Sequence, residues 1–127
     1  MNSKNDRKAY GNSLAENVAV ALMNGKCICY SHREYCGMGL IYENEVFYYC
    51  EVTDGCNFWE QQSFPNKKAF VSWLAKQSDY TMSRAEEKDI SEFYINNQCL
   101  TKDRLRNAAE WIDKADYIGV GRIDGGN

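Results

Sequence analysis

The hydrophobic pattern of the chain changes period twice. Leu14, Val18, Ala21 and Leu22 recur at three- and four-residue intervals, the spacing that stacks side chains on one face of an α-helix. Asn12-Ser13 with Glu16 reads as a capping box, in which the Ser13 hydroxyl and the Glu16 carboxylate each satisfy an orphan backbone N–H. Gly25 offers a left-handed stop, so the pattern predicts a helix over residues 13–24. From Cys27 to Phe64 β-branched and aromatic residues become dense, and turn residues interrupt them every eight to ten positions. Strands are expected over residues 26–31, 37–43, 45–53 and 56–63.

Asp54-Gly55 suits a two-residue type I′ hairpin, which needs positive φ at both central positions. Pairing Thr53 with Cys56 would put Val46, Tyr48, Cys50, Val52 and Trp59 on one face, the expected core side. Phe47, Tyr49, Glu51, Phe58 and Glu60 would then share the other face, whose mix of rings and carboxylates suits solvent or a partner. After Pro65 the period becomes helical again, with Asn66 as cap and Phe70, Val71, Trp73 and Leu74 as an apolar stripe running down to Gln77. A short helix is expected over residues 83–94, entered through Ser83 with Glu86 three residues on. Another is expected from the cap Thr101 through Leu105, Ala108, Ala109, Ile112 and Ala115.

Together these elements predict an α+β fold: an N-terminal helix, an antiparallel four-stranded meander, then two or three C-terminal helices packed on one face of the sheet. The 127 residues are expected to form a single domain, with residues 117–127, rich in glycine, as a flexible or edge-strand tail. An apolar fraction of 44% and a single proline exclude a disordered or collagen-like chain. Fifteen Lys and Arg against eighteen Asp and Glu leave a net charge of −3, the wrong balance for binding bulk nucleic acid and a better one for a basic protein partner. Apolar stretches such as Val18 to Met23 fall far short of a bilayer span, and the polar start Met1 to Asp6 leads into no secretory signal. The expectation is a cytoplasmic protein that binds neither nucleic acid nor membrane.

Six cysteines require a choice between disulfides, metal and burial. A reducing compartment argues against a disulfide framework, leaving small buried hydrophobes as the principal reading. Cys27-x-Cys29-x-x-His32-x-x-x-Cys36 gathers four possible ligands within ten residues, but its first gap is shorter than the two to four residues of a zinc knuckle. A cysteine-dependent enzyme or zinc-binding regulator built on these four residues is the rival reading. His32 is the only histidine, and Cys36 or Cys50 could pair with it as nucleophile, yet no nucleophile elbow or oxyanion-hole motif accompanies them. Gly37-Met38-Gly39 precedes a strand where a phosphate loop would follow one. No catalytic residue, metal ligand or cofactor is therefore expected.

The run from Phe64 to Asp79, then Phe93-Tyr94 leading into Asn97-Gln98-Cys99-Leu100-Thr101-Lys102-Asp103-Arg104-Leu105, resembles small bacterial immunity proteins of polymorphic toxin systems, including contact-dependent growth inhibition. The resemblance covers residues 64–112, with anchors at Trp73-Leu74, Gln77-Ser78-Asp79 and Asn97-Gln98. Physically, Ser78, Asp79, Asn97, Gln98 and Thr101 are expected to satisfy helix ends and hold the turn between them. The resemblance implies an antitoxin that neutralises a cognate toxin domain by stoichiometric occlusion, with no catalytic group of its own. Many such toxins are nucleases with basic substrate surfaces, which an acidic inhibitor can mimic a substrate to reach. The expected contact set is Glu43, Glu45, Tyr49, Glu51, Phe58 and Glu60, taken from the hairpin turn and the mixed face of the meander.

Overall fold

The computed structural model describes residues 7–31, 36–53, 57–82, 100–117 and 122–123. Helix α1 (Asn12–Met23) leads into β1 (Lys26–Ser31), β2 (Cys36–Glu43), β3 (Val46–Thr53) and β4 (Asn57–Phe64), each antiparallel to the strand before it. Helix α2 (Lys67–Ala75) follows. Later come α3 (Lys102–Arg106), a 3-10 turn (Ala108–Glu110), β5 (Ile112–Asp113), α4 (Lys114–Tyr117) and β6 (Arg122–Ile123). The chain is thus α+β in the expected order. The meander is longer than four strands, because β5 pairs antiparallel with β1 and β6 parallel with β4, giving the order β5-β1-β2-β3-β4-β6. The helix expected over residues 83–94 lies outside the described residues, as do Asn97 and Gln98.

Local chemistry explains where the helices begin and end. The start of α1 departs from the capping box: its N-cap is Gly11 at φ +92°, with no side-chain cap, and Ser13 sits inside the first turn. Tertiary contacts set this start, since the Tyr10 N–H donates to the Gln77 carbonyl at 2.8 Å and the Gly11 N–H to that of Ala75 at 3.0 Å. Holding the lead-in against the end of α2 demands a backbone that glycine alone adopts cheaply. The α1 stop is as expected, with Gly25 at φ +97° donating to the Leu22 carbonyl. Asn66 caps α2, its Oδ1 accepting from the Ala69 N–H at 2.8 Å. Asp79 Oδ1 accepts from both the Tyr10 hydroxyl, at 2.8 Å, and the Lys102 N–H, at 2.7 Å, tying the N-terminal segment to the start of α3. Thr101 Oγ1 accepts from the Arg104 N–H, and Ser78 and Thr81 exchange side-chain to backbone bonds.

The single helix expected from Thr101 to Ala115 is broken. Asn107 Nδ2 donates to the Asp103 carbonyl at 3.0 Å and Trp111 Nε1 to the Arg104 carbonyl at 3.0 Å, so side chains satisfy the last carbonyls of α3. Ile112 and Asp113 then pair with Cys27 and Lys26, and a Lys26–Asp113 ion pair of 2.9 Å fastens the edge. Helical spacing of Leu105, Ala108 and Ile112 could not reveal that the edge of β1 competes for the same residues.

The register of β3 and β4 corrects the expected faces. Thr53 pairs with Asn57, Val52 with Phe58, Glu51 with Trp59 and Cys50 with Glu60, leaving three residues, 54–56, between the strands. Those three lie outside the described residues, but a Thr53–Cys56 pair is excluded by the ladder. One added residue moves every following side chain to the opposite face. A bulge between Tyr49 and Cys50 then brings Tyr48 opposite Ser63 and Phe47 opposite Phe64.

Phe47, expected to face outward, is 1% exposed and stacks on Phe70 with ring centroids 4.6 Å apart. It joins Met38, Leu40, Phe64, Leu74, Leu105 and the buried side of α1 in the main core, and Tyr49 packs at its margin against Trp73. Tyr48 and Cys50 face the other way. There Cys27, Ile41, Cys50 and Phe58, all fully buried, form a second small cluster with Tyr48 packed against it. Trp59, assigned to the core by the two-residue turn, is 39% exposed.

Candidate partner-binding surface

The β2–β3 hairpin is the tightest reversal in the sheet. Glu43 pairs with Val46, and the two residues between them, Asn44 and Glu45, have φ of +52° and +68°. This is the type I′ geometry expected at Asp54-Gly55, found here without a glycine. Asparagine tolerates the left-handed region through its short polar side chain; a glutamate there costs roughly 1 kcal/mol. Glu45 is exposed, so no packing explains that cost. The carboxylate is held at the tip of the hairpin in spite of it.

Lys114 ties the hairpin to the C-terminal segment. Its ammonium donates to the Tyr42 carbonyl at 2.7 Å and lies 2.8 Å from Glu43 Oε1, while its backbone N–H donates to the Gly25 carbonyl at 2.6 Å. Glu43 is therefore oriented, partly neutralised and still about one-third exposed. Alternation along β2 and β3 puts Glu43 on the side of Ile41 and Tyr48, away from α1 and α2. Glu60, opposite Cys50, joins them from β4.

The grouping has an electrostatic consequence for Tyr48. Partial burial pushes the Tyr48 phenol above its ordinary value, and the carboxylate of Glu60, the Cys50 sulfur and the carboxylate of Glu43 add to the shift. Two carboxylates thus converge on one half-buried tyrosine, with Glu45 adjacent at the tip. With its pKa raised, the phenol remains a neutral O–H donor at neutral pH. Such a surface offers hydrogen bonds and negative charge to a cationic partner.

The six expected contact residues are divided between the two faces. Glu43 and Glu60 lie on the Tyr48 side of the sheet, and Glu45 stands at the hairpin tip. Phe58 is fully buried beneath them and supplies the floor of the patch. Tyr49 and Glu51 belong to the helix-bearing face, where Tyr49 packs on Trp73 with ring centroids 5.2 Å apart and Glu51 pairs with Trp59. Sequence reasoning missed Tyr48. The available signal was the Asn44-Glu45 dipeptide, which could have fixed the β2–β3 register independently of Asp54-Gly55.

The cysteine chemistry separates similarly. Burial, with a contribution from Glu60, pushes the Cys50 thiol up to about 12. Burial thus favours the protonated thiol at Cys50. Cys27 is fully buried. Cys29 pairs with Gly39 and Cys36 with Thr53 in the backbone ladder, and His32 lies outside the described residues. Among the described residues no group of three or more His, Cys, Asp or Glu is placed to hold a metal ion, and no helix is long and apolar enough to cross a membrane. In comparisons with known proteins, the chain matches no family model, no curated protein and no solved structure.

Proposed function

We propose that the protein is an immunity protein that binds a cognate toxin domain and neutralises it by occlusion, using Glu43, Glu45, Tyr48 and Glu60 as its contact surface. The observation that carries this reading is the convergence of Glu43 and Glu60 on Tyr48, on the sheet face opposite α1 and α2. Acidic side chains grouped on one surface complement a cationic surface on a partner. Glu45 supports the reading independently, because an exposed glutamate at a left-handed turn position is retained at a cost to folding. A toxin that acts on nucleic acid presents the basic surface such a patch complements, and long-range attraction then speeds encounter.

The direct test is protection. Cells producing a toxin domain encoded beside this chain should survive when the chain is co-expressed and die when it carries Glu45→Lys with Glu60→Lys. Full protection by the folded double variant would remove this surface from the mechanism, and failure of the unaltered chain to protect would remove immunity itself.

A further inference from the structure

A second surface, on the helix layer, has the opposite charge. A groove of about 590 Å³ runs between α1 and α2, floored by Val71 and Ala75 and edged by Glu16, Lys67, Lys68 and Lys76. Three lysines against one glutamate make it locally positive in a chain whose net charge is −3. The lysines are not equivalent. Lys67 forms an ion pair with Glu16 across the two helices and acts as a cross-tie at one end. Lys68 and Lys76 are exposed and have no ion-pair partner among the described residues. Eight positions apart on one helical rise, their Cα atoms stand about 12 Å from one another.

We propose that this groove binds an acidic peptide segment of a partner protein, with an apolar side chain on Val71 and Ala75 and a carboxylate at each of Lys68 and Lys76. Charge complementarity selects the class of occupant. Two available ammonium groups over an apolar floor match a short peptide with separated carboxylates, whereas a polyanion such as nucleic acid needs a longer run of cations and no apolar floor. The spacing selects the sequence pattern: carboxylates about 12 Å apart correspond to acidic residues about four positions apart in an extended chain. The groove and the acidic patch lie on opposite sides of the molecule, so the protein could engage two partner surfaces at once. The proposal stands whether or not the acidic patch binds a toxin.

The test is an NMR titration of the full chain with the blocked peptide Glu-Ala-Leu-Ala-Glu, using Lys-Ala-Leu-Ala-Lys as control. The expected result is saturable shift changes at amides of α1 and α2 around Val71, absent with the control. Lys68→Glu with Lys76→Glu should weaken the affinity at least about tenfold, with Lys68→Gln and Lys76→Gln intermediate. Glu45→Lys with Glu60→Lys should leave it unchanged. The proposal is overturned if the acidic peptide shifts nothing, if it shifts residues elsewhere, or if both peptides act alike. It is equally overturned if those amides shift with protein concentration alone, which would make a second copy of the chain the occupant.

Discussion

The two faces of the meander differ in aromatic content and in role: Tyr42, Phe47, Tyr49, Trp59 and Phe64 lie on the helix-bearing side, Tyr48 and Phe58 on the other. On the helix-bearing face Phe47, Phe64 and Phe70 close on one another, and Tyr49 and Trp73 seal the margin. On the other face one ring, Phe58, is buried in a small cluster, and Tyr48 lies over it among carboxylates. Burial follows volume and neighbours more than hydrophobicity: α2 supplies partners for Phe47, and no described helix supplies them for Tyr48. Alternation alone makes the two sets interchangeable, and only the register decides which becomes core.

That contrast can be broken most forcefully at adjacent positions in β3. Phe47→Ala should cost about 3–5 kcal/mol, while Tyr48→Ala, on a half-buried ring, should cost less than half as much. Equal losses in chemical denaturation would mean that the faces are energetically alike. Next in size is binding. Glu45→Lys with Glu60→Lys should weaken association with a basic toxin domain by at least about tenfold, roughly 1.4 kcal/mol, while Glu51→Lys on the other face should change it little. A larger loss from Glu51→Lys, measured by equilibrium binding, would return the interface to the helix side.

The second face should also show itself at alkaline pH. Cys50 releases its proton near 12 when folded and at its ordinary value of 9.0 when unfolded, and Tyr48 is shifted in the same direction. Below pH 9 both states hold the thiol proton and there is no penalty. Above it the unfolded chain loses the proton first, so stability falls as pH rises, by about 1 kcal/mol per unit, until folded Cys50 ionises. Urea denaturation across this range should show the decline, and Cys50→Ala should flatten it. A wild-type profile no steeper than that of the variant would mean that the thiol is not buried. The smallest effect is expected at the hairpin tip. Glu45→Gly should raise stability by up to about 1 kcal/mol, since glycine adopts positive φ without strain, and should weaken toxin binding. A melting temperature unchanged or lowered would show that the turn is unstrained.

Much of this architecture was legible from residue spacing. Leu14, Val18 and Leu22 located α1, Asn66 and Thr101 named their own caps, and the β-rich stretch from Cys27 to Phe64 gave four strands within a residue of their bounds. What failed was set by contacts distant in sequence. Gly11 became a helix cap because Ala75 and Gln77 hold it there, and Ile112 left its helical pattern for the edge of β1. The site was half legible. Glu43, Glu45 and Glu60 could be chosen as candidate carboxylates, but placing Glu60 on the side of Tyr48 and not Tyr49 depended on a single residue in the β3–β4 connection.

The most direct test of the acidic surface is a calorimetric titration of the toxin domain into the folded chain at low and high salt. The account predicts a one-to-one complex whose affinity falls with added salt and falls again when Glu45 and Glu60 are reversed. Binding indifferent to both salt and reversal, or no complex at all, would contradict it.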